Sequence, residues 1–167
     1  MGTPSEAALW FLPFVVPIAI WVALEDMRSM KIPNKAVIAL VAVFLVVGPF
    51  VLPLADWGWR WTHLAVVLAA GFVLNLVRVL GAGDAKFLAA MAPFVAMTDL
   101  FTFFFVLAAA LPSALIVHRL ARATPIVRRM TGEWESWVRP RVFPMGLPLA
   151  GTLVVYLVLA ARAGQAA

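Results

Sequence analysis

The sequence predicts an all-α, polytopic membrane protein with about six transmembrane helices, and three observations carry that reading. Apolar residues make up 65% of the 167-residue chain and charged ones 13%, against about 45–50% and about 25% in soluble domains. The apolar residues are gathered into long runs that meet the roughly 20 residues a helix needs to cross a bilayer. The alternating pattern of a barrel strand is absent, and a segment in lipid must satisfy its own backbone, which leaves helices. This composition excludes an ordinary soluble domain, a disordered chain and any nucleic-acid-binding module. A single transmembrane domain over residues 1–167 takes up the length, with the lipid bilayer as its surroundings.

In chain order the spans are expected at about Ala7–Leu24, Ala36–Leu54, Trp61–Leu80, Ala85–Met97, Leu100–Val117 and Met145–Ala161. The first has no Lys or Arg ahead of it, so it is not a secretory signal peptide. It ends at Glu25-Asp26-Met27-Arg28, where a turn is expected around the aspartate. Pro33 disfavours helix at Ile32 and can open the second span. Asp56 and Arg60 lie in an outer loop before the third. The fourth has only 13 residues, too few for a core of about 30 Å at about 1.5 Å per residue. The glycine-rich stretch before it, Leu80-Gly81-Ala82-Gly83-Asp84, is therefore drawn inward and becomes a candidate site. A basic connection, about residues 118–143, separates the fifth span from the sixth and suits the headgroup layer through Trp134, Trp137 and its arginines. Pro13, Pro17, Pro49 and Pro112 mark kinks within spans.

Eleven of the 13 basic residues fall on one side of this layout. They are Arg28, Lys31 and Lys35 in the first loop, Arg78 and Lys86 in the third, and Arg119, Arg122, Arg128, Arg129, Arg139 and Arg141 in the fifth. The positive-inside rule places these loops in the cytosol and both termini outside.

Chemistry is then sought by elimination. With no Cys, thiolate nucleophiles, disulfides and Cys-based zinc sites are excluded. The histidines are His63 and His118, no His-Glu-x-x-His occurs, and no metal or organic cofactor is expected. No serine sits in a Gly-x-Ser-x-Gly turn, and Ser113 and His118 do not share a helical face. Lys86 stands where a dinucleotide fingerprint needs its third glycine. Asp56, Asp99, Glu133 and Glu135 read as solvated loop charges. Asp26 and Asp84 remain, each at the cytosolic edge of a span, where an ionisable group is a functional-site hypothesis by default. A helix cap is the competing reading for Asp84. Gly81 and Gly83 would let the backbone bend and another chain approach. Glu25 is the neighbour that could be mistaken for Asp26, although it points about 100° away on a continuing helix.

These residues resemble the signatures of a known family. Asp26 with Arg28 and Ile32-Pro33-Asn34, then Gly81-Ala82-Gly83-Asp84-Ala85-Lys86, are similar to the two motifs of type IV prepilin peptidases, polytopic aspartic proteases of the Gly-x-Gly-Asp class. Phe143-Pro144-Met145-Gly146 resembles a third stretch, with Met145 in place of the usual aromatic. The resemblance implies that Asp26 and Asp84 are the catalytic pair. It also implies that Gly81, Gly83, Lys86, Ile32, Pro33 and Asn34 belong to the motif and substrate loops. Arg28 and Lys86 are expected to neutralise the pair or meet lipid headgroups. The implied substrate is a prepilin with a short basic leader, cut at the cytosolic face of the inner membrane. The cysteine-bearing methyltransferase segment of larger relatives is not expected here, and the layout resembles the short peptidase-only branch that serves Flp-type pili. An ion-coupled transporter and a non-catalytic membrane assembly protein are the alternatives. No inverted repeat favours the first, and the presence of both aspartates disfavours the second. Oligomeric state stays open.

Overall fold

The computed structural model describes residues 1–138 and 143–164. Its helices are α1 (Ser5–Ser29), α2 (Asn34–Val51), α3 (Leu54–Leu76), α4 (Ala82–Met91), α5 (Leu100–Ala123), α6 (Pro125–Met130), α7 (Glu135–Val138) and α8 (Gly146–Ala163). Short 3-10 turns at Ala92–Phe94 and Met97–Asp99 join α4 to α5, and no strand occurs among the described residues. Five helical segments among the described residues are long and apolar enough to cross a membrane: α1, α2, α3, α8 and the stretch Met97–Ala123 that contains α5. The chain is thus an all-α, multi-pass membrane protein, and the segment expected to be short is the one that falls below spanning length. Arg139 and Arg141 of the expected basic connection lie outside the described residues.

Helix α1 and helix α8 form the most extensive helix pair. Phe11, Val15, Ala19 and Val22 of α1 recur at intervals of three and four, make one stripe and are buried. Leu149, Leu153, Tyr156 and Leu157 of α8 are buried as well. The outward apolar residues of α2, α3 and α5 are mostly exposed, as lipid-facing surfaces are. Helix α4 stops after ten residues because Pro93 has no N–H and its ring crowds the carbonyl four residues back. Phe94, just beyond, packs edge-on against Phe11 and Phe44 with ring centroids 4.9 and 5.3 Å away. That knot fixes the end of α4 in the core.

At the end of the bundle away from the expected basic loops lies a polar cluster. Asp99 accepts hydrogen bonds from the Gly2 and Thr3 N–H groups at 2.7 and 3.0 Å and from the Tyr156 hydroxyl at 2.8 Å. Arg60 pairs with Asp56 at 3.1 Å and donates to Thr3 Oγ1 and to the Phe94 carbonyl at 3.3 and 3.4 Å. The expectation of a solvated loop charge is corrected for Asp99, which is 4% exposed, and Arg60 beside it is 1% exposed. Helix α3 begins about two turns earlier than its apolar run, which carries Arg60 into the bundle, and the first residues of the chain fold over Asp99.

At the other end, the connection between α5 and α8 folds back on the bundle. Trp137 stacks on His118 with centroids 4.9 Å apart and on Trp134 at 5.9 Å.

Candidate active site

Asp26 continues the buried stripe of α1, four residues after Val22, and is 5% exposed. The helix does not end there. It runs on to Ser29 and is capped by Met30, whose φ of 53° is left-handed and whose N–H bonds the Asp26 carbonyl at 2.9 Å. A methionine in that conformation carries backbone strain that a glycine would not. The turn therefore lies over residues 30–33, beyond Asp26 rather than around it, because the aspartate occupies a core-facing position that helix packing holds. Ile32 is buried, Pro33 caps α2, and Asn34 opens it. Glu25 lies one position round the helix and is only partly buried.

Asp84 is positioned by the passage from α3 to α4. After α3, Arg78 adopts φ 59°, and Asn75 Nδ2 donates to the Leu80 carbonyl at 2.8 Å. This pins the chain just ahead of Gly81. Gly81 is the N-cap of α4 with extended backbone, and α4 begins at Ala82, three residues earlier than expected. No glycine among the described residues has a positive φ, so Gly81 and Gly83 do not supply a left-handed bend. What Gly81 supplies is room: a Cβ there would lie 2.6 Å from Asp84 Oδ2. The cap reading of Asp84 survives in reversed form. The carboxylate sits in the first turn and takes the Gly81 N–H, the returning half of a capping box.

The two aspartates line one cavity of about 440 Å³. Its walls are Ile32 and Asn34 from the second loop and start of α2, Gly81, Gly83 and Lys86 from α4 and its cap, and Met30, Lys31, Ala82, Phe143 and Met145. Every candidate residue read from the sequence is there except Pro33, which stands behind the wall as the cap of α2. Lys86 Nζ donates to Asn34 Oδ1 at 3.4 Å and so bridges the two motif segments. Neither Lys86 nor Arg28 forms a contact salt bridge with Asp84.

Asp84 stands ahead of the apolar run of α4, outside the five spanning segments. Burial, and then the charge of Asp26, push its carboxyl up to about 6, with the Gly81 N–H pulling the other way. The charge of Asp26 is thus felt at Asp84 and favours a proton there under mildly acidic conditions. One member can then take a proton from water while the other donates one.

Two residues outside the initial candidate set complete the site. Asn75 holds the glycine stretch in place, and its only sequence signal is a lone amide between Leu74 and Leu76. Gly146, at the start of α8, donates its N–H to Asp26 Oδ2 at 2.7 Å in a buried hydrogen bond. A neighbouring cavity of about 590 Å³ lies between the end of α1 and the connection from α6 to α7, lined by Arg28, Arg129, Glu133 and Trp134 among others. It contains neither aspartate. No cluster of three or more His, Asp or Glu among the described residues could hold a metal ion.

Residues 13–117 match the model of the type IV leader peptidase family. No curated protein and no solved structure matches the chain.

Proposed function

We propose, because this chain belongs to the type IV leader peptidase family, that it is an aspartic endopeptidase which removes the short basic leader of Flp-type prepilins at the cytosolic edge of the inner membrane. Family membership makes it a protease with a leader peptidase role. The observation that carries the finer reading is the shared cavity, which gathers Asp26, Asp84, both glycines of the Gly81–Asp84 stretch and the Ile32–Asn34 turn. The clustering of 11 of 13 cations in alternate loops supports the orientation, with this end in the cytosol. One transmembrane domain suffices for the chemistry, with no cofactor.

The ionised carboxylate takes a proton from water as the water oxygen bonds to the scissile carbonyl carbon. The protonated carboxyl gives its proton to the carbonyl oxygen, and a tetrahedral diol forms. In collapse, the amide nitrogen receives the proton held by the first carboxyl, the C–N bond breaks, and a diol hydroxyl returns its proton to the second. The products are a carboxylic acid and an amine, and the pair is reset. The glycine stretch lies along the cavity wall, where an extended peptide meets little side-chain bulk.

The test is cleavage of a purified Flp-type prepilin in detergent by wild type, Asp26→Asn and Asp84→Asn. Asparagine keeps the size and polarity of aspartate but cannot shuttle the proton. Both variants are expected to fold and neither to cut. Normal cleavage by either variant removes that residue from the catalytic pair.

A further inference from the structure

We propose that Gly146 is a positioning residue that makes the two aspartates unequal, its N–H holding Asp26 as the base while Asp84 carries the proton. The inference rests on the aspartic-peptidase reading above and assigns the division of labour within it. The hydrogen bond spans 120 residues of sequence and is buried, with the N–H 2.7 Å from Asp26 Oδ2. A hydrogen bond given to a carboxylate favours its ionised form. Gly146 is also the first residue of α8, an 18-residue helix, so Asp26 faces the positive end of a long helix dipole.

Space makes the same point independently. A Cβ on residue 146 would lie 2.9 Å from Asp26 Cβ, 3.0 Å from its Oδ2 and 3.1 Å from its Cγ. The backbone there is ordinary, since no glycine among the described residues has a positive φ. Glycine is therefore required by the aspartate and not by the turn. Asp84 stands differently. Its link is to the cap of its own short helix, with no donor from α8, and the charge of Asp26 adds to burial in favouring a proton on it. The ionisable groups around Asp26 are Asp84 and Lys86 from α4, Lys31 from the loop after α1, and Glu25 and Arg28 on α1 itself. The first turn of α8 adds none.

The experiment measures kcat, KM and the pH dependence of prepilin cleavage for wild type, Gly146→Ala and Gly146→Pro, with thermal unfolding in detergent alongside. Alanine adds the Cβ that displaces Asp26 and leaves the N–H. Proline also removes the N–H at a first-turn position that accepts proline. Gly146→Ala is expected to lose about ten- to a hundredfold in kcat, with KM little changed and the acid limb of the profile moved to higher pH by about one unit. Gly146→Pro moves both further in the same direction. Wild-type kcat and an unmoved acid limb in Gly146→Ala overturn the proposal. So does a loss of kcat that follows a fall in melting temperature with the limb unmoved. If Gly146→Pro does not fold, Gly146→Ala decides alone. Failure here leaves the aspartate pair standing as long as Asp26→Asn and Asp84→Asn are inactive. Cleavage by either asparagine variant would instead remove the reading beneath it.

Discussion

Two buried aspartates occupy opposite ends of the bundle in contrasting surroundings. Asp99 accepts from two backbone N–H groups and one hydroxyl, with Arg60 anchored beside it on Thr3. Asp26 has one strong donor and faces a cavity that contains a second carboxylate. A buried charge with a full complement of partners is spent on holding elements together. A buried charge short of partners, beside another acid and open space, keeps reactivity in reserve. The same residue type, equally buried, thus ties elements together at one end and faces open space beside a second acid at the other.

The sharpest way to break this contrast is to make one change at both ends. Asp26→Asn and Asp84→Asn are expected to lower prepilin cleavage by roughly 10³-fold or more. Asp99→Asn is expected to leave the cleavage rate per folded molecule close to wild type. A large rate loss in Asp99→Asn at unchanged melting temperature would show that the outer cluster takes part in catalysis.

Stability should answer in the opposite order. Asp99→Ala leaves two backbone N–H groups and a tyrosine hydroxyl without their acceptor, and is expected to cost about 2–4 kcal/mol in detergent unfolding. Asp84→Asn is expected to stabilise. The carboxyl of Asp84 is raised to about 6 from 3.8, so folding favours its neutral form. Stability from this group is complete below pH 4, falls as pH rises to about 6, and remains reduced at neutral pH. Asparagine removes that deficit, with an expected gain of about 1–3 kcal/mol at pH 7.5 that vanishes near pH 4. A gain that persists at pH 4 would trace to packing rather than charge.

The smallest expected effect sharpens the comparison where helices carry the site. A Cβ on Gly71 would lie 2.9 Å from Ala85 Cβ and 3.3 Å from its Cα. Gly71→Ala should push α4 away from α3, cost about 1–2 kcal/mol and lower kcat several-fold, because Asp84 is the residue before Ala85. Unfolding and cleavage measured on the same preparation check both parts.

Much of the candidate site was legible because its signals are local. The Asp26 motif and the Gly81–Asp84 stretch each sit within a dozen residues, and the short fourth segment announced irregular backbone near Asp84. Gly146 was visible as part of a third motif, but its purpose depends on a partner 120 positions away that no spacing reveals. The outer cluster was illegible for the same reason: Asp99 finds its donors 96 and 97 residues upstream and 57 downstream. Asp56 looked like a loop charge, and Arg60 fell in the same outer loop, because an apolar run marks where lipid begins, and helix α3 starts before that point. Asp26 looked like the end of a span for a related reason, since hydropathy ends at Leu24 while the buried stripe of α1 continues.

The pairing of α1 with α8 also has a consequence for how the protein is made. Both aspartates leave the ribosome with the first half of the chain, while the glycine that bonds Asp26 arrives only with the final helix. A partly synthesised chain already inserted in the bilayer therefore carries its acids without their arrangement. The arrangement around Asp26 is completed only when α8 packs against α1, after both acids are already in place.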